Sequence, residues 1–589
     1  MLVAPGPVGT GGVPVDGPSA LPDAGRPDDP SPQASARTTK TGASYTSVYY
    51  AGSVLWLRCL ACVAASVPPA SAPEVLSKTS SPSVPDPYLV APVLVTPPPL
   101  APLSWRIDAT TREATEARLD ITDSRGHRQI VFPGLQRTHR VPVLGISAGE
   151  TADVSVSFVS DAGSTLLAQF TLQQMAVAGW WPDVVVGVSD AERMEPGLTV
   201  LPLASGNVLG WVAALDASGT PAWLYGPTPT HTGVRFRPET GTLRMVRLTE
   251  VGLVEEIDLF GGLVNSFGSA PFGAAIPLDG VERLHHEVLD LGGGTFAALD
   301  TLPVVEADYP ASYVDPLIRW TDVTVSRQQL VVVGADGAVE ELVPLTDVLD
   351  PGRLGYDGLD KLGWGLDWAH ANALAFDAAD DAWVVSLRNQ DTVFAMNRDT
   401  HELLWLLAPE ANWGPEYVAN RLTPVGEDWR QPYHAHGITQ TPQGTWLLFD
   451  NGDVGASPWT EEVPADATES LAIELKIDAV ARTVERIWSY EPADGPLAAP
   501  LMGAVDALPT TGNRLVTYGW LESVGGVSLA SQGLAPHGVR VVELVMPDTV
   551  VWQVDITVPA DDAASDGVQG FAAHRIPSLY GGGAVETWD

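Results

Sequence analysis

Three of the eleven histidines in this 589-residue chain open strand-like segments in a repeated context. His286 and His436 each stand eight residues before a turn glycine, Gly294 and Gly444, and His370 opens the equivalent segment in DWAHANALAFDAADDAWVVSLRNQ. A neutral imidazole has a reference pKa of about 6.5 and is a competent nucleophile, acid or base near neutrality. Arg388 ends the apolar run VVSLR in the same stretch as His370. A charge there is costly unless it meets an anion or faces a channel, and its planar fork suits a tetrahedral oxyanion such as sulfate or phosphate. Asn372 follows His370 by two residues and is a candidate substrate-binding residue. His285 and His434 adjoin the key histidines, but strand alternation points them away, so they are read as supporting residues.

Positioning such residues falls to a repeated element. From about 177 to the end the chain repeats a strand, a Gly-centred turn and an apolar strand, as in LPLASGNVLGWVAALD, HGITQTPQGTWLLFDNG and DALPTTGNRLVTYGW. Each is followed by a strand, an Asp/Thr turn and a Trp-bearing strand, as in VFAMNRDTHELLWLLA and VELVMPDTVVWQVD. Such a unit of four antiparallel strands is a propeller blade, and with weaker copies near 232–260 and 283–346 the count reaches six. Trp223, Trp405, Trp488 and Trp552 share one position in the unit and are expected to plug the seams between blades. In a propeller, residues at equivalent inner-strand starts converge on the axis, so His286, His370 and His436 should meet. The predicted fold class is therefore all-β, a six-bladed β-propeller over 177–589. A small Ig- or fibronectin-like β-sandwich over 91–176 precedes it, announced by alternating segments such as ADVSVSFVSDAG.

Residues 1–90 read as a disordered leader rich in Pro, Gly and Ser. Within it the segment 51–66, AGSVLWLRCLACVAAS, reads as the apolar core of an export signal, which implies a periplasmic or secreted protein. It is too short, and interrupted by Arg58, for a comfortable membrane span. The chain's two cysteines, Cys59 and Cys62, both lie there; a lipid anchor at Cys62 is conceivable, and the body has no disulfide, thiolate metal site or cysteine nucleophile. Acidic residues outnumber basic ones 72 to 32, for a net charge of -40, so a nucleic-acid partner is excluded on electrostatic grounds. Lysine occurs only at 40, 78, 361 and 476, which leaves arginine or Lys361 to hold an anionic substrate.

Several of these motifs together resemble the bacterial arylsulfate sulfotransferases. HHEVLDLGGGTFAALD resembles that family's first histidine motif and DWAHANALAFDAADDAWVVSLRNQ its His/Arg segment. HGITQTPQGTWLLFDNG resembles the third histidine motif, and AAHRIPSLYG the closing segment. The resemblance covers roughly 95–589 and implies nucleotide-independent transfer of a sulfuryl group from an aryl sulfate to a phenol by a ping-pong route. It implies that His436 is transiently sulfated, that His286, His370 and Arg388 hold the sulfuryl oxygens, and that members can dimerise. No cofactor and no resident metal is implied. Glu287, in place of the usual Asp after the histidine pair, and the Ala371-Asn372-Ala373 run depart from the family pattern. Two other classes stay open on the residues alone. One is a three-histidine metal enzyme, against which Arg388 argues by its charge. The other is a non-catalytic propeller scaffold, which would have no reason to align three histidines.

Overall fold

A computed structural model describes residues 89–588, apart from 164, 207, 249–251, 360, 363, 456–457, 465–466 and 563. The leader and its export-signal segment lie outside the described residues. Secondary structure is almost entirely strand. No helix among the described residues is long and apolar enough to cross a membrane.

The described strands ahead of residue 183 join, with one from the far end of the chain, into one hydrogen-bonded sheet of six. Its longest strand, Trp105–Asp123, alternates buried and exposed residues, as a sheet with one dry face requires. That strand pairs with Leu89–Val95 along its first half and with Thr151–Ser160 along its second. The sixth strand, Val585–Trp588, comes from the far end of the chain and pairs with Gly126–Val143. Its dry face packs on the neighbouring sheets: Ile107, Leu119 and Val156 share one core cluster with Val212, Trp223 and Met245.

Between 183 and 576 the described strands form six further meanders of at least four strands each. Their inner strands are His231–Arg237, Leu284–Gly292, Ala371–Asp377, His436–Gln440, Ala504–Ala507 and, from the chain's end, His574–Ile576. Each of the first four packs on the next. The ring closes where Asp506 accepts from His574 Nδ1 at 2.6 Å and where Arg235 meets the other nitrogen of that ring. Two pairings lock the closure: His574–Ile576 with Leu198–Ser205, and Asp183–Ser189 with Thr549–Thr557. This is a β-propeller, and each meander is a blade.

The tryptophans act at the seams. Trp223, Trp488 and Trp552 lie on the fourth strand, counted outward from the inner one, of three blades. Each donates its indole N–H to a carbonyl in the outer turn of the following blade: Leu259 at 2.9 Å, Pro547 at 2.6 Å and Ala217 at 3.0 Å. Trp405 meets the Trp446 ring of the next blade at 6.2 Å. Trp223 and Trp552 are wholly buried, so each joins a large apolar area to one satisfied donor.

Candidate active site

The four predicted catalytic residues come together at one end of the ring of inner strands. The His286 and His370 rings lie 4.9 Å apart, centroid to centroid. Phe571, on the segment leading into the closing strand, stands 5.8 Å from the His286 ring and 6.4 Å from that of His436. Arg388 begins a one-turn 3-10 helix directly after the strand Ala382–Leu387, and its backbone N–H donates to the His370 carbonyl at 3.1 Å. The sequence spacing of these two residues is thus the length of one hairpin that returns on itself.

Convergence depends on bulges. The inner strand slips register at Thr232/Arg235, His285/Val288, Ala371/Ala373 and His436/Thr439. His286 sits inside its bulge with φ 56° and His370 stands just before its strand with φ 50°, both left-handed. A bulge re-aims the side chain it carries. The equal eight-residue spacings therefore conceal a difference: the residue cross-strand paired like His436 is His285, and His286 reaches the site because the bulge turns it inward. His285 is not turned away as alternation implied; its Nδ1 lies 2.8 Å from Nδ1 of His286. His434, wholly buried, packs against the tilted Tyr356 ring at 4.3 Å and faces Asp391 at 3.3 Å.

The hydrogen bonds set the protonation pattern. Asn451 donates from Nδ2 to the carbonyls of Ala499 (2.7 Å) and Met502 (2.8 Å), so its Oδ1 is the atom facing His436 Nδ1 at 2.7 Å. The His434 carbonyl lies on the same nitrogen at 3.1 Å. Two acceptors there require an N–H on Nδ1, which leaves the Nε2 lone pair of neutral His436 free. Burial pushes the His436 pKa down to about 3, reinforced by the charges of Arg388 and His370 and opposed by Asn451. His286 is likewise held well below the usual range by burial, then by His370, His285, His436 and Arg388. His370 is more open, and its Nδ1 donates to Asp367 at 2.5 Å. Burial would raise the Asp367 carboxyl, but His370 and Arg388 outweigh it and hold the group below its ordinary value.

Arg388 is nearly buried; Nη1 donates to Asn389 Oδ1 at 3.0 Å, and the guanidinium faces Asp357 at 3.4 Å and Asp453 at 3.7 Å. Asn372, expected to bind substrate, is wholly buried and donates to the Ala435 carbonyl at 2.8 Å, beside His436. Glu287 turns along the channel instead and pairs with Arg235 at 2.9 Å. The side chain of Lys361 lies outside the described residues. Among the described residues no group of three His, Cys, Asp or Glu is arranged to hold a metal ion. Sequence reasoning missed Asn451 and Asp367, although both stood in quoted motifs, FDNG and DW. Their signal was a polar residue at the end of an apolar strand beside a candidate histidine.

The profile of the arylsulfotransferase (ASST) family matches residues 184–561, more than half of the chain. The chain belongs to that family. Among curated members, the arylsulfate sulfotransferase AssT of Lelliottia amnigena is 29% identical over 211 residues, 28% of this chain and 34% of the relative. The AssT of Escherichia coli O6:H1 is 28% identical over 216 residues, 28% of this chain and 35% of the relative. The chain thus spans about a third of the length of the curated arylsulfotransferases it matches. Solved structures similar to it include the periplasmic gluconolactonase PpgL of Pseudomonas aeruginosa, at 12% identity and TM-score 0.30, covering 64% of this chain and 99% of that one. A luciferin-regenerating enzyme matches at 11% identity and TM-score 0.30, covering 68% and 100%.

Proposed function

We propose that this arylsulfotransferase-family protein moves a sulfuryl group from an aryl sulfate to a phenol through a sulfated His436. The observation that carries the reading is the meeting of His286, His370, His436 and Arg388 at one end of the propeller channel. In the first half-reaction the His436 Nε2 lone pair forms an N–S bond while the S–O bond to the aryl group breaks, and the electron pair leaves with the aryl oxygen. Arg388 and His286 hold the equatorial sulfuryl oxygens, where charge spreads in the transition state. His370, oriented by Asp367, gives a proton to the departing oxygen and takes one from the incoming phenol. The second half-reaction reverses the first on the new phenol. Asn372, tied to Ala435, positions the strand start from which His436 projects.

His436→Asn removes the nucleophile. With 4-nitrophenyl sulfate as donor and phenol as acceptor, turnover should vanish, together with the mass gain of one sulfuryl group that brief donor exposure gives the unaltered enzyme. Undiminished turnover in this variant overturns the reading. The metal-enzyme alternative predicts stoichiometric metal in the purified protein and activity lost to a chelator.

A further inference from the structure

Asn451 has no part in the transfer as written, yet it is the side chain bonded to the proposed nucleophile. Resting on the sulfohistidine reading, we propose that Asn451 is a positioning residue that keeps a proton on His436 Nδ1 throughout the cycle. Nε2 is then always the attacking nitrogen, and a neutral imidazole is always the group that leaves when the sulfuryl is passed on.

The argument begins with what the amide oxygen can and cannot do. It accepts a hydrogen bond, but it is too weakly basic to remove the proton. Its orientation is not adjustable, because Nδ2 is spent on the Ala499 and Met502 carbonyls. The Asn451 carbonyl is also engaged, accepting from Ser470 Oγ at 2.7 Å. The neighbouring carboxyl, Asp450, is turned away: it accepts from the Tyr433 and Gly452 N–H groups at 2.9 and 3.0 Å and faces Arg430 at 3.2 Å. The other groups that act on His436 are Arg388 and His370 of the preceding blade, His286, and the His434 carbonyl. Among the described residues the groups bonded to Nδ1 are the Asn451 amide oxygen and the His434 carbonyl, and neither is a base strong enough to strip it.

That absence of a base on Nδ1 matters to the second half-reaction. After Nε2 has bonded to sulfur, the ring is a cation carrying Nδ1–H beside the anionic sulfonate, and the adduct is neutral overall. When the acceptor oxygen bonds to sulfur, the N–S pair returns to Nε2 and a neutral imidazole departs. If a carboxylate drew off the Nδ1 proton, the leaving group would become an imidazolide anion, and the adduct would persist. A catalytic histidine that only shuttles protons gains from a carboxylate partner, as His370 has in Asp367. One that must release a bound group is better served by a neutral partner.

The test is Asn451→Asp, close to isosteric, compared with the unaltered enzyme. Sulfuryl uptake from 4-nitrophenyl sulfate is followed as a burst, and discharge as loss of adduct mass on adding phenol. In the variant the buried pair should favour a protonated His436, so uptake falls by roughly tenfold per pH unit below the new, raised pKa. Adduct already formed should discharge at least about tenfold more slowly, the cost of about one pKa unit of leaving-group strength. A folded variant with unchanged uptake profile and unchanged discharge overturns the proposal. Should the variant not fold, the unaltered enzyme still decides. Histidine-selective ¹⁵N spectra should show Nδ1–H on His436, and the sulfated nitrogen should be Nε2. An Nε2–H tautomer, or sulfate on Nδ1, overturns the assignment of Asn451. An enzyme that never carries the sulfuryl group on His436 instead overturns the transfer reading beneath it.

Discussion

At the scale of single residues, Arg388 is held by contacts of 3.4 and 3.7 Å to Asp357 and Asp453, longer than a close ion pair. Replacing Arg388 by Met should lower kcat about 10²–10³-fold. The thermal midpoint should move little, because the two carboxylates are partly exposed and solvent takes over their pairing. Steady-state kinetics beside a melting curve checks both. His436 gives the pH expectation. Its folded pKa of about 3 lies below the free value, so the nucleophile stays neutral until the pH falls to that value. The burst of phenol release should hold its amplitude from pH 8 to about pH 5.

At the scale of elements, the deciding device is the inner-strand bulge. Gly437 follows His436 directly, has φ 63°, and a Cβ there would stand 2.7 Å from the Ala504 Cα of the next blade. Gly233 repeats the arrangement, with a would-be Cβ 2.8 Å from the His286 carbonyl. Gly437→Ala should therefore cost roughly 1–3 kcal/mol of stability, from left-handed strain and close approach together. It should also lower activity beyond that loss, because His436 moves with its bulge. A denaturant midpoint and the turnover of the folded fraction separate the two effects.

At the scale of the whole molecule, the last described stretch of the chain closes the structure twice. His574–Ile576 supplies the inner strand of the blade begun by Leu198–Ser205, and Val585–Trp588 completes the N-terminal sheet. The hydrogen bond from His574 Nδ1 to Asp506 sits at the seam. Burial pushes the Asp506 carboxyl up, but His574 outweighs it and holds its folded pKa below the unfolded value. The stabilisation is then present above the unfolded pKa and lost as pH falls through the folded one. Asp506→Asn should melt below the unaltered protein at neutral pH, and the gap should narrow as pH falls toward the lower carboxylate range.

Much of this was legible in the chain because it rests on local composition. Period-two alternation, Gly-centred turns and a recurring Trp mark the strands and blades without knowledge of their partners. The family's histidine and arginine spacings carry His286, His370, His436 and Arg388 because a hairpin's length is written in its residues. The mate of each strand end is not written there. That His285 is cross-strand paired like His436, that Asn451 faces Nδ1, that Glu287 meets Arg235, and that Asn372 is sealed beneath Ala435 all follow from bulges and blade-to-blade packing. One inserted residue reverses a strand's alternation, and hydrogen bonds between distant segments are satisfied only once the ring has closed. Composition and spacing determined which groups can do chemistry; tertiary structure decided which atom of each group is offered to it.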